Sequence, residues 1–410
     1  MKRMSEQNHP LKARLRRAER MRQVKAFGLI APLLGFLLIS FVVPIASMMM
    51  RAVHDTELSS VWPEVTAAIP SWRDRKALPD EAVFAALAHD IKASHKDRTL
   101  STAARRLNYD LRNGRSLVFS TARALPETAE RWTDAVIAAN GRWADPETWG
   151  AVYRASGPVT GFFLLAALDR NRTATGRIVV APPDEALFLD VLKRTFVVGL
   201  AVTLICLALG YPVAYLLATL PPDRGNLLMI LVLLPFWTSL LVRTAAWVVV
   251  LQEHGLVNNA LIWLGIIEKP MRLIYNQVGV YVAMTHILLP FMILPLYSVM
   301  KAIPPTYVRA ARSLGAAPAT AFLRIYVPQT LPGIGAGGIL VFIMAIGYYI
   351  TPALVGGAGD QLISYFIAYY TSSSVNWGLA SALGAVLLAA TMILYAVYNR
   401  LVGAGGIKLG

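Results

Sequence analysis

The sequence predicts an all-α polytopic membrane protein with six transmembrane helices and a helical insertion between the first and second. Three observations predict it. The 410 residues are 56% apolar and only 15% charged, against roughly 25% charged in ordinary soluble domains. The mean hydropathy is +0.52, and the apolar residues gather in runs long enough to cross a hydrocarbon core, which takes about 20 residues. The basic residues are unevenly spread along the chain, as in proteins oriented by retention of Lys and Arg on the inner side.

Five runs qualify as spans: 26–50, 195–220, 227–251, 278–300 and 334–355. A sixth, 378–402, is similar. In lipid each must be helical, because backbone groups there find no water to bond. The first run is longer than the core of about 7–15 residues in a signal peptide and lacks a small-residue cleavage site, so it reads as an uncleaved helix. It follows a polar, basic tail, 1–25, with nine basic and two acidic residues.

Residues 51–190 read as a folded insertion on the opposite side from that tail. They hold 18 Lys/Arg and 18 Asp/Glu, so the whole net charge of +15 lies elsewhere. That distribution argues for membrane orientation and not for nucleic-acid binding. Asp145-Pro146-Glu147 has the form of a helix start, with Asp as cap and Pro at the first helical position. Trp149, Val152 and Tyr153 fall on one helical face, as do Val83, Phe84, Leu87 and Ile91; both stripes are expected to be core. The apolar stretch 157–168 is short for a span. A crossing there would place the basic 301–330 segment outside.

Six crossings put both termini inside. The segment 301–330 has four basic residues and no acidic one. The inner loop 301–331 is expected to form two short helices around a turn. Pro304-Pro305 would start the first, Gly315 would end it in a positive-φ conformation, and Pro318 would start the second. Small Ala310 and Ala311 leave a shallow surface ringed by Arg309, Arg312 and Arg324, so the loop reads as a cytoplasmic knob.

This segment resembles the "EAA" coupling loop of permeases from binding-protein-dependent ABC importers. Ala310-Ala311, Gly315, Ile325 and Pro328 hold the motif positions at the family's spacing. Arg309 stands where Glu is usual, and Val327 where Leu is usual. The resemblance covers the first helix and roughly 190–402. It implies a type I permease fold; with the insertion, which is larger than this family usually carries, the expected domains are 1–25 (cytoplasmic tail), 26–50 (first helix), 51–190 (periplasmic insertion), 191–402 (five-helix core) and 403–410 (cytoplasmic C-terminus). It implies ATPase coupling through Arg309, Ala310, Ala311, Gly315, Ile325 and Pro328. The implied partners are ABC ATPase subunits, a second and similar permease subunit, a periplasmic solute-binding protein and membrane lipid, in the bacterial inner membrane. The stretches 234–244, 255–258 and 347–357 are similar to the spermidine/putrescine branch. Other solutes (opines, amino acid derivatives, ferric iron) and an ion-gradient-driven carrier are the alternatives.

The chain has no Gly-x-x-x-x-Gly-Lys-Ser/Thr loop for phosphates, so it reads as a transport subunit without catalytic residues or cofactor, ATP being used by a partner. The single cysteine, Cys206, and the lack of His/Glu ligand spacing point to no metal site. Candidate path residues are Trp237, Thr238, Arg243, His286, Tyr348, Tyr349 and Thr351. Arg243 is expected to snorkel or to pair with an outer-loop carboxylate. His286 is expected to bond a neighbouring helix. Tyr348, Tyr349 and Thr351 precede Pro352, where the fifth helix should loosen; their aromatic faces suit a cation or an interfacial belt. Helices two to six carry no Asp or Glu in their interiors, so a tight carboxylate site for a cationic solute is not expected.

Overall fold

The computed structural model describes residues 8–403. Of the tails read from the sequence, residues 1–7 and 404–410 lie outside them. Six helices are long and apolar enough to cross a membrane: Glu19–Met50, Phe188–Thr219, Leu240–Trp263, Gln277–Ala302, Pro318–Gly347 and Trp377–Arg400.

The first 51 residues form one unit and the rest another. The first unit is one helix, Asn8–Leu37, continued through a π-turn, Leu38–Val42, into Val43–Met50. The helix therefore runs well into the basic tail, where the sequence reading had placed its start at residue 26. Leu, Lys, Arg, Glu and Ala are all good helix formers, and nothing between residues 11 and 25 breaks them.

The second unit opens with the insertion. It is largely helical, as expected, and its core is built on Trp62, Phe84, Trp143 and Trp149. Each buried indole N–H has a partner: Trp62 donates to Ser94 Oγ (3.0 Å), Trp143 to Thr121 Oγ1 (2.8 Å) and Trp149 to the carbonyl of Trp143 (2.8 Å). Buried polar groups are costly when left unbonded, so these pairings let large aromatics fill a small core. Asp145 accepts from Glu147 N (2.9 Å) and Pro146 opens the helix, as the sequence indicates. Both stripes are core: Val83, Phe84, Leu87, Ile91, Trp149 and Val152 are fully buried, with Tyr153 packed against them.

The stretch 157–168 is not among the six helices long and apolar enough to span. It holds only a short helix, Phe162–Ala166, and its loop pairs backbone to backbone with residues 53–55. A two-stranded antiparallel hairpin, Arg170–Arg172 with Ile178–Val180, follows. Asp169 then caps the second span, its carboxylate accepting from the N–H groups of Leu187 (3.1 Å), Phe188 (2.9 Å) and Leu189 (2.8 Å). Phe163 and Ala167 share a core with Phe188, Val191, Leu379 and Leu383. The insertion is thus joined to the spanning helices by packing as well as by chain.

Two spans differ from the sequence reading. The run 227–251 is not one helix. It is Pro222–Leu233, a 3₁₀ turn Leu234–Trp237, and Leu240–Leu251. Pro235 has no N–H to bond the preceding turn, and Ser239 caps a fresh start by accepting from Val242 N (3.2 Å). The run 334–355 is also divided. The fifth helix begins far earlier, at Pro318, ends at Gly347, and a separate helix, Ile350–Val355, follows. The loosening expected before Pro352 falls at Tyr348-Tyr349. The second, fourth and fifth spans pack together around Val202, Cys206, Met284, Leu288, Met292 and Val341. Close approach is set by small residues: a Cβ on Gly337 would lie 2.9 Å from Met292 Sδ.

Candidate coupling segment and translocation path

The coupling segment is one helix, Thr306–Ser313, a turn, and then the fifth span itself. The expected second short helix is not separate. Pro318–Ala321 runs through a π-turn, Phe322–Tyr326, into Val327–Gly347. The turn has the double hydrogen-bond pattern of a Schellman ending: Gly315 N donates to Arg312 O (3.0 Å) and Ala316 N to Ala311 O (3.0 Å). Gly315 sits at φ +90°, in the region that glycine adopts without strain. Its missing Cβ would meet nothing within 4 Å, so the requirement is conformational and not one of space.

The knob is open to its surroundings. Arg309, Ala310, Gly315, Ile325 and Pro328 are exposed and Ala311 half-buried. Leu314 is 89% exposed, Leu323 62% and Tyr307 53%. Apolar surface in this amount marks a surface that meets another protein or lipid. Arg309, Arg312 and Arg324 form no ion pair among the described residues.

An aromatic clasp, absent from the sequence reading, fastens the knob to the bundle. Tyr326 is buried, stacks on Phe322 (5.5 Å) and takes the edge of Tyr215 (5.3 Å). Phe322 also meets Tyr211 (6.4 Å), whose hydroxyl pairs with Thr330 Oγ1 (3.2 Å). The signal was available: both pairs, Tyr211/Tyr215 and Phe322/Tyr326, have the i,i+4 spacing that shares a helix face.

The candidate path residues do not form one constellation; they fall into three contacts around the two broken helices. In the first, Arg243 turns back on the break in its own span. Its guanidinium donates to the carbonyls of Pro235 and Thr238 (3.0 Å) and lies 3.4 Å from Thr238 Oγ1. The expected snorkelling or carboxylate partner is therefore replaced by carbonyls that the 3₁₀ turn frees, an economical use of a cation where helix bonds are missing. In the second, the Thr244 and Thr351 hydroxyls pair at 3.1 Å, both residues fully buried, tying the helix after one break to the helix after the other. In the third, Trp247 Nε1 donates to His286 Nδ1 (3.1 Å), the interhelical bond expected for His286. Tyr348 is half-buried against the bundle core. Trp237 and Tyr349 are exposed, at 74% and 41%. An apolar cavity of about 360 Å³ lies between the second span, the helix Pro222–Leu233 and the fourth span, with His286 among its lining residues. Asn258 is an organiser the sequence flagged only by likeness. It is fully buried and bonds Gln252 O (3.0 Å), Met271 O (2.9 Å) and Met271 N (2.9 Å), so the loop between the third and fourth spans has a fixed shape.

Residues 209–404 match the family described as "Binding-protein-dependent transport system inner membrane component". The chain is 37% identical over 216 residues to the spermidine/putrescine transport system permease protein PotB of Escherichia coli (strain K12), covering 53% of this chain and 78% of that protein. The chain belongs to this family of inner-membrane transport components.

The PotB of Haemophilus influenzae is 39% identical over 48% of this chain and 69% of that protein. The inner membrane ABC transporter permease protein YdcU of Escherichia coli (strain K12) is 29% identical over 52% and 72%. Among solved structures, a bacterial alginate ABC transporter in complex with alginate pentasaccharide-bound periplasmic protein aligns with a TM-score of 0.45 and 17% identity, over 53% of this chain and 78% of that chain. As a binding-protein-dependent transport permease, the chain is a multi-pass inner-membrane transport subunit. The family match begins at residue 209, beyond the insertion.

Proposed function

We propose that this chain is a translocation subunit of an ATP-driven importer of polyamines of the spermidine/putrescine type. What carries the reading is the likeness to permeases of that name at 37–39% identity. The exposed segment 306–328 is the docking element for a separate ATPase, its Leu314, Leu323 and Tyr307 seated in a cleft of that subunit. The aromatic clasp passes the ATPase's movement to the second and fifth spans. Both termini and the knob face the cytoplasm, and the insertion faces the periplasm, where a solute-binding protein delivers its cargo. A second permease subunit completes the path.

The path offers a polyamine no buried carboxylate, since Asp190 and Glu253, the two acids within the second to sixth spans, are both exposed. Selectivity then rests with the binding protein, while exposed Trp237 and Tyr349 supply weak cation–π contact of about 0.5–1 kcal/mol each. Arg243, held by carbonyls, shapes the break without binding a like-charged solute.

Uptake of labelled putrescine by cells holding the complete system tests the cargo; uptake of another solute with no competition by putrescine overturns it. Gly315→Asp tests the coupling role separately. A side chain at φ +90° distorts the turn, so the variant should insert normally, co-purify poorly with the ATPase and lose at least tenfold in uptake. Unimpaired ATP-driven uptake by that variant would falsify the docking role.

A further inference from the structure

We propose that the insertion carries an oxyanion-binding pocket, formed by Arg154, Arg170 and Arg172 beside the loop 157–161, which takes the phosphate or carboxylate head of a small organic anion. The cavity measures about 500 Å³, within the range of about 300–1,000 Å³ usual for small-molecule sites. No Asp or Glu lines it, although the insertion has as many acidic as basic residues. Arg154 is paired with Asp110, but Arg170 and Arg172 have no carboxylate partner among the described residues, so an anion between them would relieve their mutual repulsion.

The donors are available. Arg170 is half-buried, and its guanidinium has no hydrogen bond or ion pair among the described residues. Arg172 gives only Nε, to Gly176 O at 3.2 Å, which leaves its terminal N–H groups free. Arg154 is forked onto Asp110 (2.8 and 2.9 Å) with Nη1 buried and unbonded. Thr160 Oγ1 accepts from Phe162 N (3.1 Å), so its own proton can be donated. The hydroxyls of Thr66 and Ser156 also line the space but donate to backbone carbonyls, at 2.8 Å each. A guanidinium fork matches the geometry of phosphate and carboxylate oxygens, and a buried donor without an acceptor, as at Arg154 Nη1, is rare enough to call for a partner.

The site is rigid and two-sided. Thr160 N bonds Val53 O (2.8 Å) and Asp55 N bonds Pro158 O (3.1 Å), so the loop cannot fold in to fill the cavity. Val159, Phe162 and Leu165 add apolar surface to the lining for the organic part of the ligand. A polyamine is excluded by the same charges, so the pocket is no part of a cation path. The anion has two sources. It is a soluble phosphate or carboxylate compound, or the headgroup of an anionic lipid. The second is within reach because Asp169, next to Arg170, caps the span Phe188–Thr219 where that helix enters the membrane.

The test uses the whole protein in nanodiscs. In one arm the discs hold phosphatidylcholine alone and glycerol 3-phosphate is titrated by calorimetry. In the other they contain phosphatidylglycerol, and lipid retained after detergent extraction is counted by native mass spectrometry. Saturable binding of glycerol 3-phosphate assigns a soluble ligand; retention of phosphatidylglycerol alone assigns a headgroup. In either case Arg170→Gln/Arg172→Gln should weaken binding at least tenfold or abolish retention. Arg170→Gln alone removes a guanidinium that bonds nothing, so it serves where the double variant fails to fold and should weaken binding severalfold. Absence of binding in both arms, or equal binding by the variants, overturns the proposal. Neither readout involves transport, so the result is independent of the cargo.

Discussion

Single side chains hold this protein's breaks and joints, and two of them give measurable consequences. Arg243 supplies hydrogen bonds to the carbonyls of Pro235 and Thr238 that the helix cannot satisfy itself. Arg243→Ala should leave those groups unbonded at a cost of about 1–3 kcal/mol and cut uptake severalfold, while Arg243→Lys, which keeps a donor but loses the fork, should fall between. Equal uptake by both variants and the unsubstituted chain would show the bonds to be idle. Asp90, in the insertion, is pushed up from 3.8 to about 6 by burial, although it accepts from Val65 N and Glu64 N. The folded state therefore binds its proton more tightly than the unfolded one. The stabilisation is fully present below about pH 4 and is lost as pH rises through 6. The thermal midpoint should decline over that window, and Asp90→Asn should flatten the decline. A midpoint that rises between pH 4 and 6 at the same rate in both proteins would refute this.

At the scale of elements, what was legible depended on whether the signal was local. The glycine turn was, because a Schellman ending needs only Gly315 and its own preceding helix. The helix start at Asp145-Pro146 was legible for the same reason. The loosening before Pro352 was legible from the proline itself, whereas the break at Pro235 was not read, because hydropathy averages across a break without registering it. The carbonyl partners of Arg243 were hidden in consequence, since they exist only once the 3₁₀ turn has freed them. The clasp of Tyr211, Tyr215, Phe322 and Tyr326 joins residues more than a hundred positions apart; the i,i+4 spacing shows that each pair shares a face, but not that the two faces meet. The joint between the insertion and the last span is similarly long-range. A Cβ on Gly378 would lie 2.4 Å from the ring of Phe163. Gly378→Ala should lower the thermal midpoint, with an overpacking cost of about 1–3 kcal/mol. Phe163→Ala in the same chain should recover part of the loss despite being destabilising alone. Strict additivity of the two losses would mean that they do not touch.

The whole molecule combines a family core with a domain that the family match does not reach. Composition and runs of apolar residues were enough to give the class and the number of spans, since both depend on the solvent and not on partners. They could not say whether the insertion hangs free. It does not: Phe163 and Ala167 complete a core with Phe188, Leu379 and Leu383. Excision of 51–190 as a block should therefore expose that core and leave little protein in the membrane. A shorter excision, 56–156, which keeps the joint, should restore membrane levels. Equal abundance of both truncated chains would argue against a shared core.

One small feature of the fifth span bears on how a stroke would travel. The π-turn at Phe322–Tyr326 carries one residue more per turn than the helix on either side of it. A uniform rod hands on a push undiminished; a rod with a surplus residue wound into it has give. Here the surplus is braced: Phe322 and Tyr326, at the two ends of the π-turn, stack on each other and both take the edge of Tyr215 from the second span, so the place where such a rod would yield is the place where it is held.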